Sequence, residues 1–147
     1  MKIRRMTLRD YEAALALWRS LPGIGLDDAS DSRAGIAAFL RRNPGLSIVA
    51  CDKAEIVGTV LVGHDGRRGF IYHLAVAPSH RHLGLGRTLA ESALHTLTAC
   101  GIPKCTILVM RSNADGQAFW ESLGWARRDD LHVFQHALEP SNSELGF

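Results

Sequence analysis

The sequence predicts an α/β (α+β) fold in which helices flank a mixed, mostly antiparallel central sheet. β-rich apolar runs alternate with helical segments along the chain, and no internal repeat or low-complexity tract interrupts this order. One long amphipathic segment also lies between two β-rich runs, as in a β-α-β crossover. The chain has 147 residues, which suits one domain with one core. We expect that domain to span residues 1–138 and a polar C-terminal tail to follow at 139–147.

The first half of the chain predicts an edge strand, two helices and a hairpin. "KIRRM" alternates apolar and basic residues, and Thr7 with Asp10 matches a capping box that opens a helix over "LRDYEAALALWRSL". "GIGLDDASDS" has the composition of a loop, and "RAGIAAFLRR" has apolar residues at helical spacing. "LSIVACD" and "EIVGTVLVGHD" flank a short polar turn, which is typical of a hairpin.

The second half of the chain predicts the crossover, with a strand on either side of its helix, and then a short helix and a final pair of strands. The strand "GFIYHLAVA" precedes a helix from Gly86 to Cys100, where Leu89, Ala93 and Leu97 recur every four positions. "KCTILVM" then predicts a buried strand, "NADGQAFWESLG" a short helix, and "WARRDDLHVFQHAL" a final extended pair. The expected order is therefore β, α, α, β, β, β, α, β, α, β, β.

Composition excludes several classes of function. The 17 Lys and Arg residues nearly balance 15 Asp and Glu residues, so generic nucleic-acid binding is not favoured. No apolar run approaches the roughly 18 residues of a membrane span. The odd number of cysteines and the absence of a signal peptide predict a cytoplasmic protein with reduced thiols. Neither the cysteines nor the histidines have metal-ligand spacing, so we expect no metal.

The segment "VAPSHRHLGLGRTL" places basic residues and two glycines before the crossover helix. A helix N-terminus offers unpaired N–H groups, and residues without a Cβ let a phosphate approach them. Arg81, His82 and Arg87 would add positive charge there. The alternative is that Gly84 and Gly86 only form a tight turn beneath a solvated basic surface. The segment lacks the Gly-Lys-Ser/Thr ending of a P-loop and the third glycine of a Rossmann motif.

Two motifs together resemble the GNAT superfamily of acetyl-CoA-dependent N-acetyltransferases. "LAVAP" followed by "RHLGLG" is similar to that family's Leu-x-Val-x-Pro and Arg/Gln-x-x-Gly-x-Gly/Ala, and "NADGQAFWESLGW" is similar to its Asn-x-x-Ala-x-x-Phe-Tyr-x-x-x-Gly-Phe. The element order matches over essentially the whole chain. The resemblance implies a GNAT-like fold whose crossover carries the CoA pyrophosphate loop. It also implies acetyl-CoA as co-substrate and direct attack of a primary amine within a ternary complex.

The resemblance further implies which residues hold the cofactor. Backbone groups of Leu74, Ala75 and Val76 would hold the pantetheine arm like an added strand, and one N–H would polarise the thioester carbonyl. Asn113 would hydrogen-bond the pantetheine, or it could cap the short helix that follows. One continuous segment would hold the pyrophosphate through its N–H groups and arginine side chains: Arg81, His82, Leu83, Gly84, Leu85, Gly86 and Arg87.

Two positions depart from the family pattern. Trp120 stands where the family commonly has a tyrosine acid, and Leu108 stands where a relative would have a glutamate base. The candidate catalytic side chains are then Trp120, Tyr72 and His73. A lone histidine on a strand is more often structural than catalytic. A non-catalytic acyl-CoA-binding sensor is therefore the alternative to an enzyme.

Strand alternation predicts where the candidates on the fourth strand lie. Tyr72 should share a face with Leu74 and Val76, and His73 should point the other way.

The acidic loop before the second helix is the candidate substrate-binding element. Asp27 and Asp28 could attract a cationic amine, whereas Asp31 or Ser32 could simply cap the helix. Weakly basic amines depend less on a catalytic base, because a larger fraction of the amine is already neutral near pH 7. The acceptor could be a small molecule or a protein amine, and a homodimer is left open.

Overall fold

The computed structural model describes residues 1–138, which contain five strands and four α-helices. The strands are β1 (Lys2–Arg5), β2 (Ile48–Asp52), β3 (Glu55–His64), β4 (Gly69–Val76) and β5 (Cys105–Ile107). The helices are α1 (Tyr11–Ser20), α2 (Arg33–Arg42), α3 (Leu85–Ala99) and α4 (Ala114–Ser122). The predicted tail at 139–147 lies outside the described residues.

The strands form one sheet in the order β1-β2-β3-β4-β5. Pairing is antiparallel from β1 to β4, and β5 runs parallel to β4 because α3 crosses over between them. The mixed, mostly antiparallel sheet and its crossover are therefore confirmed. Within the described chain, no helix combines the length and apolar character that crossing a membrane requires.

Apolar side chains are buried on both faces of the sheet, which makes it the central layer. On one face Trp18 of α1 and Ile36 of α2 pack over Val49 and Leu61. On the other face Leu89 and its helical neighbours in α3 pack together with α4 over the opposite side of the same strands. The central strand β3 is buried on both sides, since it carries mostly apolar residues at consecutive positions.

The predicted capping box is present before α1. The Thr7 backbone N–H donates to Asp10 Oδ2 at 2.9 Å, and a single 3-10 turn then leads into the helix. Arg4 of β1 also pairs with Asp10 at 2.8 Å, so strand and helix are joined at this point. The Arg4 hydrogen bond holds the pKa of Asp10 below its usual value.

β4 contains a bulge at His73. Thr59 lies opposite Ala75 and Leu61 lies opposite Tyr72, so one residue of β3 faces two residues of β4. His73 takes the extra position with φ of +49°, a left-handed conformation that is uncommon outside glycine.

The bulge changes which face its neighbours occupy. Tyr72 packs edge-on against a phenylalanine of α2 at 5.9 Å, and His73 lies against Trp18 of α1 at 4.6 Å. Leu74 and Val76 instead pack with the α3 cluster. The prediction that Tyr72 shares a face with Leu74 and Val76 was therefore wrong, because the extra residue interrupts the alternation and puts Tyr72 and His73 on one face.

The final extended pair predicted from "WARRDDLHVFQHAL" was also wrong, since residues 125–138 form no strand. Alternating apolar residues make a segment compatible with a sheet, but strands also need a partner for their backbone groups. This segment has no such partner within the described chain, and four large apolar side chains in it are 58–94% exposed: Leu131, Val133, Phe134 and Leu138.

Candidate functional site

A cleft opens where β4 and β5 diverge. β5 pairs only with the first three residues of β4, Gly69 to Ile71, so the β4 edge from Tyr72 to Val76 is free on that side. The cleft has a volume of about 1870 Å³ and reaches from the loop before α2, along the free edge, to the start of α3. Leu74, Ala75 and Val76 all line it. An open strand edge presents backbone N–H and C=O groups that can bind an extended ligand chain.

The loop at the start of α3 has unpaired backbone donors. Within the described residues, none of the backbone N–H groups of residues 82–87 donates to a protein acceptor. His82 has φ of +63° and Gly84 φ of +78°, the left-handed conformation that recurs in the anion-binding concavities formed by backbone N–H groups. Arg81 and Arg87 line the same end of the cleft, whereas Leu83 does not line it and is 68% exposed. This end of the cleft therefore suits an anion.

The two glycines of this loop serve different purposes. Gly84 needs its left-handed backbone, and a Cβ there would meet nothing within 4 Å. A Cβ on Gly86 would lie 3.1 Å from the Phe119 ring of α4. Gly86 therefore allows α3 to approach α4, and a large side chain there would disturb packing as well as any ligand.

Asn113 caps α4 and also lines the cleft. Its Oδ1 accepts a hydrogen bond from the Gly116 N–H at 2.9 Å. Its Nδ2 has no acceptor among residues 1–138. The cap is therefore confirmed, and the amide N–H groups are left to interact with a ligand.

The two departures from the family pattern both lie in the cleft wall. Leu108 directly follows β5 and is 56% exposed. Trp120 is only 7% exposed and makes edge-on ring contacts with Phe119 at 5.1 Å and Trp125 at 4.6 Å. Its indole N–H has no acceptor within the described part of the chain. Neither side chain can accept a proton from an amine.

A histidine–aspartate pair lies on the α1/α2 side of the cleft. His73 Nε2 and Asp31 Oδ1 are 2.6 Å apart, and the two side chains are 12% and 10% exposed. Both residues line the cleft. His73 Nδ1 has no hydrogen-bond partner among residues 1–138.

The loop before α2 fixes the Asp31 carboxylate. Its Oδ2 accepts from the Asp27 N–H at 2.8 Å, and Tyr11 Oη donates to the Asp31 carbonyl at 2.7 Å. Ser32, rather than Asp31, caps α2 through the Gly35 N–H at 3.0 Å. Sequence reasoning missed the pairing of Asp31 with His73, because nothing in the spacing of these residues indicates the contact.

The predicted acidic residues separate in the structure. Asp27 lines the cleft, and its Oδ2 accepts from both the N–H and the hydroxyl of Ser30 at 2.9 and 2.7 Å. These bonds lower the pKa of Asp27, so it is ionised at neutral pH. Asp28 is exposed and does not line the cleft. Tyr72 lines the cleft, and burial raises its pKa, so its hydroxyl stays protonated near neutrality.

Other reactive side chains lie apart from this arrangement. Cys51, Cys100 and Cys105 are free thiols, and burial raises the pKa of Cys105 to about 11. Across residues 1–138, no three His, Cys, Asp or Glu side chains are grouped so that they could hold a metal ion.

Comparison with known proteins identifies similar chains. A family model described as the acetyltransferase (GNAT) family matches residues 11–125. A protein of Pectobacterium atrosepticum described as an acetyltransferase is 32% identical over 139 residues, which cover 95% of this chain and 97% of that protein.

Solved structures show the same fold at lower identity. PaiA N-acetyltransferase of Thermoplasma acidophilum, solved with coenzyme A, superposes with a TM-score of 0.75 at 20% identity, covering 87% of this chain and 91% of that one. The ribosomal-protein-S18-alanine N-acetyltransferase of Escherichia coli superposes with a TM-score of 0.68 at 22% identity. This match covers 84% of this chain and 76% of that one.

Proposed function

Because the chain belongs to the GNAT acetyltransferase family, we propose that it transfers the acetyl group of acetyl-CoA to a primary amine by direct attack within a ternary complex. The single observation that carries this proposal is the continuous cleft between the free β4 edge and the start of α3. It joins a site for an extended amide chain to a site for an anion. These are the two chemical features of the pantetheine and pyrophosphate parts of CoA.

The residues present fit the co-substrate. The unpaired N–H groups of residues 82–87, with Arg81 and Arg87, supply donors and charge for the pyrophosphate. Leu74, Ala75 and Val76 offer backbone groups to the pantetheine amides, and Asn113 Nδ2 is a further donor. A backbone N–H of this edge would polarise the thioester carbonyl as negative charge develops on its oxygen.

Trp120 in this proposal packs against the pantetheine and the core. A thiolate is a fair leaving group because thiols have pKa values near 8.5, so an acid helps its departure without being essential. The burial of the indole between two aromatic rings supports packing as its main role. Replacing Trp120 with Phe should therefore cost little turnover.

The acceptor end of the cleft combines apolar walls with acidic side chains. Ile24, Ile36 and Phe39 line it beside Tyr72, and the ionised Asp27 lies at its rim. This supports a cationic amine with an apolar neighbouring group, on either a small molecule or a protein. Whether the protein is cytoplasmic and whether it forms a homodimer both stay predictions, although the exposed apolar residues of 131–138 offer a surface for a second copy.

The experiment has a binding part and a turnover part. Calorimetry should show that Arg81→Ala weakens acetyl-CoA binding by roughly tenfold, as expected for one charged hydrogen bond. Arg67→Ala is the matched control, because Arg67 is exposed in the β3–β4 turn and does not line the cleft. Equal affinities for the two variants would contradict the assignment of the loop.

The turnover part measures CoA-thiol release with a panel of primary amines. Intersecting initial-velocity lines are expected, because both substrates must be bound before transfer. Replacing Cys51, Cys100 and Cys105 together with Ala in a folded protein should preserve the rate. Parallel lines, or an acetylated cysteine detected by mass spectrometry, would exclude direct transfer.

A further inference from the structure

We propose that His73 is the catalytic base that takes a proton from the acceptor amine at Nδ1, and that Asp31 is the positioning residue that holds its imidazole. This rests on the proposed function above and adds to it the proton acceptor. Neither of the family positions at Trp120 and Leu108 can supply that group.

The hydrogen bonds decide which ring nitrogen is available. An ionised carboxylate only accepts hydrogen bonds, so the 2.6 Å contact with Asp31 places the proton of a neutral His73 ring on Nε2. The other nitrogen, Nδ1, then carries a lone pair. It has no partner among residues 1–138, and His73 lines the cleft. A neutral His73 therefore keeps an unpaired ring nitrogen in a side chain that lines the cleft.

Three contacts hold the histidine in place. The imidazole lies against the Trp18 ring at 4.6 Å. Trp18 Nε1 donates to Thr59 Oγ1 at 2.9 Å, and Thr59 Oγ1 donates to the His73 carbonyl at 2.8 Å. Both the ring and the left-handed backbone at φ of +49° are thus fixed by buried groups. A fixed ring suits a base that must meet its proton at one geometry.

The other titratable groups around His73 do not suit this role. Tyr72, on the same face, stays protonated near neutrality because burial raises its pKa. Both Asp31 oxygens are engaged, by His73 and by the Asp27 N–H. The Asp27 carboxylate has a lowered pKa and is therefore a weak base. Tyr11 uses its hydroxyl as a donor to the Asp31 carbonyl.

The proton balance of the step is simple. The acceptor arrives as an ammonium ion, and His73 Nδ1 removes one proton to give the neutral amine. The amine lone pair attacks the acetyl carbon, the C–N bond forms, and the C–S bond breaks with its electron pair on sulfur. The second proton lost by nitrogen goes to the thiolate. The products are the acetylated amine, free CoA thiol and one proton, which the imidazolium next to Asp31 releases to solvent.

His80 supplies a matched control for this assignment. Its Nε2 lies 2.8 Å from Asp52 Oδ2, so it too pairs with a carboxylate. Its Nδ1 is already bonded to Ser79 Oγ at 2.7 Å. The same His→Gln substitution at the two positions therefore compares two histidines. Among residues 1–138, His73 has a ring nitrogen without a hydrogen-bond partner, and both ring nitrogens of His80 have partners.

The experiment measures thiol release at saturating acetyl-CoA with two probe amines. One is a peptide with a free α-amine, and the other is an N-acetylated peptide whose single amine is a lysine. His73→Gln keeps an N–H that can reach Asp31 but removes the base, so kcat should fall at least about 100-fold while the affinity for acetyl-CoA is unchanged. His73→Asn is the second variant, because asparagine tolerates the left-handed backbone. His80→Gln should keep kcat within about twofold of wild type.

Asp31→Asn tests the positioning role. It should lower kcat about tenfold or more while leaving KM for the amine unchanged, because the imidazole loses the acceptor that holds its orientation. Folded His73 variants that keep kcat within about threefold would overturn the proposal while leaving the acetyltransferase assignment intact. Absence of amine-dependent thiol release by the wild-type protein would overturn both proposals.

Discussion

The two histidine–aspartate pairs of this protein have similar distances and different surroundings. His73 and Asp31 are 2.6 Å apart with side chains 12% and 10% exposed. His80 and Asp52 are 2.8 Å apart, but the Asp52 side chain is 46% exposed. The first pair leaves Nδ1 without a partner among residues 1–138, whereas Ser79 occupies Nδ1 of the second. A short distance to a carboxylate therefore does not by itself distinguish a base from a structural contact.

The pairs also join different parts of the fold. His80 follows β4 in a short turn, and its Nε2 contacts Asp52 at the end of β2. His73 lies in the β4 bulge and contacts the loop before α2. One pair therefore joins the turn after β4 to β2, whereas the other joins β4 to the loop before α2, where we propose that His73 acts as the base.

The largest expected difference between the pairs is in stability. Asp31→Ala should cost about 3–5 kcal/mol of unfolding free energy, because it leaves His73 and the Asp27 N–H without their buried acceptor. Asp52→Ala should cost less than about 1 kcal/mol, because solvent screens an exposed pair. Urea unfolding of both variants measures the difference. Equal losses would show that burial does not separate the pairs.

A smaller effect should follow from removing the support of the first pair. Trp18→Phe keeps an aromatic ring near His73 but leaves Thr59 without its buried donor, which should cost about 1–3 kcal/mol. Trp125→Phe is the control, because its indole N–H makes no hydrogen bond within the described chain. Urea unfolding and kcat should be measured together. A Trp18→Phe protein as stable as the control would contradict the proposed support.

The Asp10 carboxylate is a useful reference for the two histidine pairs, because its partner Arg4 stays charged over the whole accessible pH range. Arg4 holds the pKa of Asp10 below its usual value, so this pair stabilises the fold above the unfolded pKa of about 3.9. The contribution is lost as pH falls through the lowered folded pKa. It should be about 1 kcal/mol, because Arg4 is 37% exposed. Asp10→Asn should flatten the acid limb of the stability curve, and an unchanged limb would contradict this.

The smallest expected effect concerns the hydroxyl next to His73. Tyr72→Phe should change kcat by less than about fivefold, because Tyr72 stays protonated and contributes mainly its ring, which contacts Phe39 and Phe70. Thiol release with the lysine peptide measures this. A loss as large as that of His73→Gln would assign the proton transfer to Tyr72 instead.

The elements of the proposed cofactor end could be predicted from sequence because they are contiguous. The fourth strand, the basic loop and the crossover helix follow one another directly, and the proposed binding depends on backbone groups that a motif specifies. The mixed, mostly antiparallel sheet with one crossover follows from the same local patterns and the crossover rule.

The acceptor end could not be predicted in this way. Its central pair joins Asp31, in the loop before α2, to His73 of β4, and the geometry of this pair depends on a bulge. One extra residue in β4 puts Tyr72 on the opposite face of the sheet from Leu74 and Val76. Strand alternation in the sequence cannot reveal such a bulge. The last predicted strands failed for a related reason, because pairing depends on a partner that alternation does not specify.

The proposed base is tested most directly by the protonation of the His73 ring, measured by heteronuclear NMR of imidazole-labelled protein at a pH where the ring is neutral. We expect a proton on Nε2, an unprotonated Nδ1, and an Nε2 proton resonance that moves in Asp31→Asn but not in Asp52→Asn. A ring that carries its proton on Nδ1, or an Nε2 resonance that ignores the Asp31 substitution, would contradict the assignment of His73 Nδ1 as the base.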